Sequence, residues 1–111
     1  MRERIAIIDG LRTPIAKASG KLKNIEAESL CAHVVSEVAL RVGLDLDSYD
    51  EVIIGNVSQP AHAANIARVI ALRAGFGEHI PASTVHRNCA SGMESITTAT
   101  DKILSGRGDI Y

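Results

Sequence analysis

The chain has 111 residues, 46% of them hydrophobic, 23% charged and 3% aromatic, with a formal net charge of -1. That length suits one small domain with a modest core, and the near-neutral charge excludes electrostatic attraction to nucleic acid or anionic membrane. No apolar run reaches membrane-spanning length, none at the N-terminus suits a secretory signal, and the two cysteines do not make a disulfide scaffold, so the chain reads as cytoplasmic with reduced thiols.

The first expected element is a short buried strand from Arg4 to Asp9, closed by Gly10 and followed by Leu11-Arg12-Thr13-Pro14. A loop rich in Lys, Ser and Gly leads to Asn24, the expected N-cap of a helix with Glu26 and Glu28 in its first turn. Ala27, Leu30, Cys31, Val34, Val35, Val38 and Val42 then recur at helical spacing, forming one core-facing stripe that Gly43 terminates. A second strand is expected over about Glu51 to Val57, with Val52, Ile53 and Ile54 at its centre. The loop Ser58 to Ala64 contains Pro60. A second helix runs from about Asn65 to Ala74 and stops at Gly75. Pro81 opens a third strand through Val85, and a third helix follows from about Ala90 to Leu104, with Gly106 as its stop. Small residues beside large apolar ones mark this last helix as central and buried.

The order β-α-β-α-β-α with short loops predicts an α/β fold with a mostly parallel sheet. Asp109-Ile110-Tyr111 reads as the opening of a fourth strand, so the expectation is an N-terminal portion of a longer protein, truncated within that strand. Few aromatics leave the core to Ile, Val, Leu and Ala, as is usual beneath parallel sheets.

Cys89 is the residue on which chemistry turns. It lies in Thr84-Val85-His86-Arg87-Asn88-Cys89-Ala90-Ser91-Gly92-Met93, where a β-prone run gives way to a helical one. A thiol at the first turn of a helix meets the positive end of the macrodipole and unpaired backbone N–H groups. That setting favours the thiolate, the form that attacks carbonyls. The same N–H groups can receive the oxyanion formed when a thioester is attacked. Nucleophile and part of its oxyanion hole therefore arrive together. Cys31, within the first helix's apolar stripe, reads instead as a core thiol. His86 is read as bonding within its own loop rather than pairing with the thiol. His33, His62 and His79 show no metal-ligand spacing, so no metal is expected. Asn88, Ser91, Gly92 and Met93 are candidate substrate-binding neighbours.

Several of these segments, in order, resemble the thiolase family, the acetyl-CoA C-acyltransferases. Ile7-Ile8-Asp9-Gly10-Leu11-Arg12-Thr13-Pro14-Ile15 is similar to the family's opening strand and Arg-Thr-Pro turn. Glu51 to Gln59 is similar to its second strand with a Gly-Asn-Val turn, and Asn65-Ile66-Ala67-Arg68 with Ala74-Gly75 to the next helix. Asn88-Cys89-Ala90-Ser91-Gly92-Met93, with Ser95-Ile96 beyond, is similar to the acyl-enzyme signature. The resemblance covers essentially residues 1–111. It implies the first part of a thiolase N-terminal domain, lacking the C-terminal half.

By that resemblance Cys89 takes an acyl group from acyl-CoA, with its backbone N–H in the oxyanion hole. Claisen condensation of acyl-CoA, or thiolytic cleavage of 3-ketoacyl-CoA, is the implied activity. Coenzyme A is then a substrate, no cofactor is implied, and the full-length protein is a homodimer or homotetramer. The family's catalytic His and second Cys belong to downstream sequence, so the 111 residues alone are expected to be inactive in turnover. Two departures bear on subfamily: His86 stands where a small polar residue is usual, and Pro60 to Ala64 replaces a glycine-rich segment. A ketoacyl-synthase-like condensing enzyme and a non-catalytic dimerising fragment are the alternative readings.

Overall fold

The computed structural model describes residues 3–111. In chain order it contains helix α1 (Ala27–Val42), strand β1 (Val52–Gly55), helix α2 (Ile66–Arg73), strand β2 (Ala82–Val85) and helix α3 (Ser91–Leu104). Short 3₁₀ turns at Leu46–Ser48 and Ala61–Ala63 lead into β1 and α2.

β1 and β2 pair in parallel, with Val52 opposite Ala82 and Gly55 opposite Val85. Parallel neighbours need a crossover, and α2 supplies it. Side chains alternate along a strand, so Val52 and Ile54 share one face of β1 while Ile53 and Gly55 share the other. Val52 and Ile54 pack into the clusters that hold Ala71, Ala74, Phe76, Ile80, Ile66 and Ile70. Gly55 meets the backbone of Ser91 and Gly92 instead. The sheet is thus sandwiched, with α2 and, above it, α1 on one side and α3 on the other.

α2 is the hub. Ile66, Ala67, Ile70 and Ala71 are all buried, and small side chains at 67 and 71 let the strands approach closely. Its N-terminus has no local side-chain cap. Thr84 on β2 does that work: its Oγ1 accepts from the Ala67 N–H at 3.1 Å and donates to Asn65 Oδ1 at 2.8 Å. Arg68 reaches the following loop, donating to the carbonyls of Ile80 and Glu78 at 3.0 Å each. Tyr49 and Phe76 meet edge to face, ring centroids 5.4 Å apart.

Helix stops fall where the glycines place them. Gly43 takes φ 74° and donates its N–H to Ala39, and Gly75 takes φ 99° just beyond α2. α1 begins at Ala27 with Glu26 in the N-cap position, not Asn24, and no side chain caps it.

Three expectations need correction. Arg4 to Asp9 is not a strand: Ile7 and Ile8 are 78% and 74% exposed, and the segment has no ladder partner among the described residues. β1 pairs with β2 along one edge only, and the segment does not add to its other edge; it is held to α1 by the Arg41–Asp9 ion pair at 3.3 Å. Asp109 to Tyr111 is not a strand either. The Asp50 carboxylate accepts from the N–H groups of Asp109 (2.7 Å) and Ile110 (3.0 Å), and Asp50 N–H donates to the Ile110 carbonyl at 2.8 Å. A side-chain clip at one residue replaces a ladder. The alternating β-α-β-α-β-α sheet is therefore two-stranded in this chain. Finally, α3 is not buried all round. Ser91 is its one buried residue, while Met93, Ile96 and Leu104 are exposed. α3 touches the sheet along one side, and nothing among the described residues covers the other.

Candidate active site

The chain turns sharply between β2 and α3, and Cys89 sits at the tip of that elbow. Asn88 adopts φ 48°, a left-handed conformation that Asn tolerates better than most residues. The turn is closed by Ala90 N–H donating to Arg87 (3.0 Å) and Ser91 N–H donating to Asn88 (3.1 Å). Cys89 is a free, exposed thiol.

No side chain caps α3, and the N–H groups of Cys89, Gly92 and Met93 have no acceptor among the described residues. Gly92 and Met93 lie in the first turn of α3, and both reach the surface, as Cys89 does just before it. A Cβ added at Gly92 would meet nothing within 4 Å, and Met93 is 63% exposed. A free thiol, spare amide hydrogens and open approach thus fall within a few residues of one another. That combination suits nucleophilic attack on a carbonyl whose oxygen becomes negative.

The neighbours of Cys89 are mostly engaged with the backbone. His86 Nδ1 accepts from the Asn88 N–H at 3.0 Å, which keeps the ring within its loop, as read from sequence. Arg87 donates to Glu94 at 2.8 Å. That hydrogen bond, with the guanidinium charge behind it, holds the Glu94 carboxyl below its usual range and raises Arg87. Ser91 is 4% exposed. Its Oγ donates to the Asn88 carbonyl at 2.6 Å and accepts from the Arg87 N–H at 2.9 Å. Of the residues expected to meet substrate, Asn88, Gly92 and Met93 reach the surface beside Cys89, whereas the Ser91 hydroxyl is turned to the main chain.

Cys31 makes the contrast. It is half-buried against the cluster of Ala32, Ala63, Ile66 and Ile70, and burial pushes its thiol up from the ordinary value.

Sequence reasoning missed a polar cluster on the other side of the molecule. Glu28, 2% exposed, accepts from His62 at 2.8 Å, thirty-four positions away along the chain. Its own backbone N–H, with the His62 ring, holds its carboxyl low against the opposing effect of burial. One donor atom each from Glu26, Glu28 and His62 lie within 4.8 Å of one another. Arg73 already lies 3.3 Å from Glu26 and 3.9 Å from Glu28 and donates to Ser29 at 2.9 Å, so a guanidinium meets those charges. Gly55 was also missed as part of the site. Its place at the end of an apolar run before Asn56 was the only local signal.

The family described as "Thiolase, N-terminal domain" matches residues 5–111. A Staphylococcus aureus protein (strain NCTC 8325 / PS 47) described as "Probable acetyl-CoA acyltransferase" is 38% identical over 107 residues, 96% of this chain and 27% of the relative. The chain thus spans about a quarter of the length of the curated relatives it matches. A crystal structure of the Bacillus anthracis acetyl-CoA acetyltransferase superposes with TM-score 0.78 at 38% identity, covering 81% of this chain and 23% of that one. The acetyl-CoA acetyltransferase from Syntrophomonas wolfei gives TM-score 0.79 at 28% identity, covering 87% and 24%.

Proposed function

The chain belongs to the thiolase family, and on that premise we propose that Cys89 is its acyl-accepting nucleophile, serving an enzyme that works on acyl-CoA thioesters. The observation that carries this reading is the exposed thiol at a left-handed elbow, beside amide hydrogens that no side chain caps.

In the first half-reaction the Cys89 thiolate attacks the acyl-CoA carbonyl, and the oxygen takes the negative charge beside the Cys89 N–H. Collapse of that intermediate breaks the carbon–sulfur bond to CoA, which leaves as a thiolate and takes up a proton. The acyl group stays activated as a thioester on the protein. In the second half-reaction the α-carbanion of another acyl-CoA forms a carbon–carbon bond to the acyl carbon and expels the Cys89 thiolate. Reversed, CoA cleaves a 3-ketoacyl-CoA. The whole protein performs this cycle as a cytoplasmic homodimer or homotetramer in fatty acid metabolism. The 111 residues alone carry the acyl-accepting step and do not turn over.

Incubating the chain with acetyl-CoA and mapping adducts by peptide mass spectrometry tests the proposal. One acetyl group on Cys89 and none on Cys31 is the expected result. An unmodified Cys89 under conditions where the chain is folded would sink it.

A further inference from the structure

Ser91 was a candidate for contact with substrate, yet its hydroxyl is buried and uses both of its hydrogen-bonding capacities on the elbow. We infer that Ser91, backed by Gly55, is a positioning residue that aims the Cys89 N–H toward the reacting carbonyl, an inference that rests on Cys89 being the nucleophile.

The carbonyl of Asn88 and the N–H of Cys89 belong to the same planar unit, and in a trans peptide they point in opposite directions. The Asn88 carbonyl receives two donors, the Ser91 hydroxyl at 2.6 Å and the Ser91 N–H at 3.1 Å. Both come from the start of α3, so the carbonyl is tied inward and the Cys89 N–H is turned outward. The same hydroxyl accepts from the Arg87 N–H at 2.9 Å, fixing the residue on the other side of Asn88. Asn88, at φ 48°, is held between these two bonds.

Gly55 sets how deep the clamp sits. A Cβ there would overlap the Ser91 carbonyl and the Gly92 nitrogen, so the absence of a side chain at the end of β1 lets the first turn of α3 rest on the strand. Ser91 is therefore braced by the sheet behind it while its hydroxyl reaches forward. An amide that stabilises a transient oxyanion must be in place before the reaction, because reorienting it during attack would cost most of its benefit.

The test compares two reactions of the same sulfur. Attack on acetyl-CoA builds an oxyanion and needs the aimed N–H, whereas alkylation by iodoacetamide builds none. Ser91→Ala should slow acetylation of Cys89 about 10- to 100-fold, the order expected for a displaced catalytic group. Alkylation, which follows thiolate content and access, should change by less than about threefold. Ser91→Thr, which keeps the hydroxyl, should restore most of the acetylation rate. Thermal melts run alongside report the folded fraction. Should alanine at 91 unfold the chain, Gly55→Ala makes the same comparison, since it displaces Ser91 and the hydroxyl it carries while leaving the residue at 91 unchanged. Acetylation of the alanine variant at the parent rate would overturn the inference. So would acetylation and alkylation falling together in step with the folded fraction. A parent chain that does not acetylate at all would instead remove the nucleophile reading, a result distinct from either.

Discussion

Cys31 and Cys89 carry the same functional group into opposite surroundings. Cys31 lies inside α1, where neighbouring amides are spent on the helix, and hydrocarbon from α2 and the Ala63 turn shields it. Burial raises its thiol. Cys89 lies just before α3, on the surface, where its own N–H and those of Gly92 and Met93 find no acceptor among the described residues. What separates the two thiols here is burial and where the backbone has hydrogens left to give. Residue type alone does not distinguish them.

The comparison breaks most readily from the buried side. Ile70 is 1% exposed and anchors the cluster against which Cys31 packs. Ile70→Ala should cost about 2–5 kcal/mol through lost burial and a residual cavity. Denaturant titration measures that, and a pulse of iodoacetamide should then label Cys31 faster while leaving Cys89 close to its parent rate. Labelling of Cys31 that stays as slow as in the parent would mean the cluster does not protect it.

From the exposed side the weak point is Gly55. Gly55→Ala forces a Cβ into the Ser91–Gly92 backbone, so the sheet and α3 must part. A cost of about 1–3 kcal/mol is expected, as for other overpacked sites. The melt should fall with no gain in Cys31 labelling, because the strain lies on the opposite face of the sheet. Equal stability of parent and variant would show that α3 does not rest on β1 as described.

Much of this was legible in the residues, and the misses share one cause. α2 and α3 were placed within a residue or so because apolar spacing and a following glycine are local signals. Gly43 was read correctly for the same reason. The Arg4 to Asp9 run has strand-like residues, but a strand exists only with a partner, and pairing is not written in the run itself. α3 shows an apolar face in sequence, yet the pattern cannot say whether these 111 residues supply its cover. The burial of Glu28 depends on His62, thirty-four positions on. At the elbow, the place of Cys89 before a helix is a local signal and is legible in sequence. The Ser91 clamp is not, since a serine hydroxyl looks the same in sequence whether it faces substrate or main chain.

A smaller effect sharpens the Cys89 side alone. Asn88 holds φ 48°, where a Cβ-bearing residue without a short polar side chain pays about 1–2 kcal/mol. Asn88→Ala should lose about 1 kcal/mol, and Asn88→Gly should lose little or none. Chemical denaturation of the pair reads the difference directly. Alanine and glycine variants of equal stability would mean that the elbow does not require the left-handed conformation.

The mildest perturbation is acid, and it should touch the Cys31 side through Glu28, one helical turn before that thiol. Its carboxyl is held below the unfolded value by its own backbone N–H and by His62. A lowered folded value means that the contribution is complete above the unfolded value of about 4.3 and is lost as pH falls through the folded one. Melting temperature should therefore decline below about pH 4, the region in which the unfolded chain takes up protons that folded Glu28 resists. Asp50, held low by the N–H groups of Asp109 and Ile110, and Glu94, held low by Arg87, decline in the same direction. Glu28→Gln cannot titrate, so its melting temperature should drop less between pH 7 and pH 3 than that of the parent, while Cys89 labelling responds equally in both. An identical drop in the two proteins would assign the acid sensitivity to Asp50 and Glu94, and would leave the α1 side held by hydrocarbon alone.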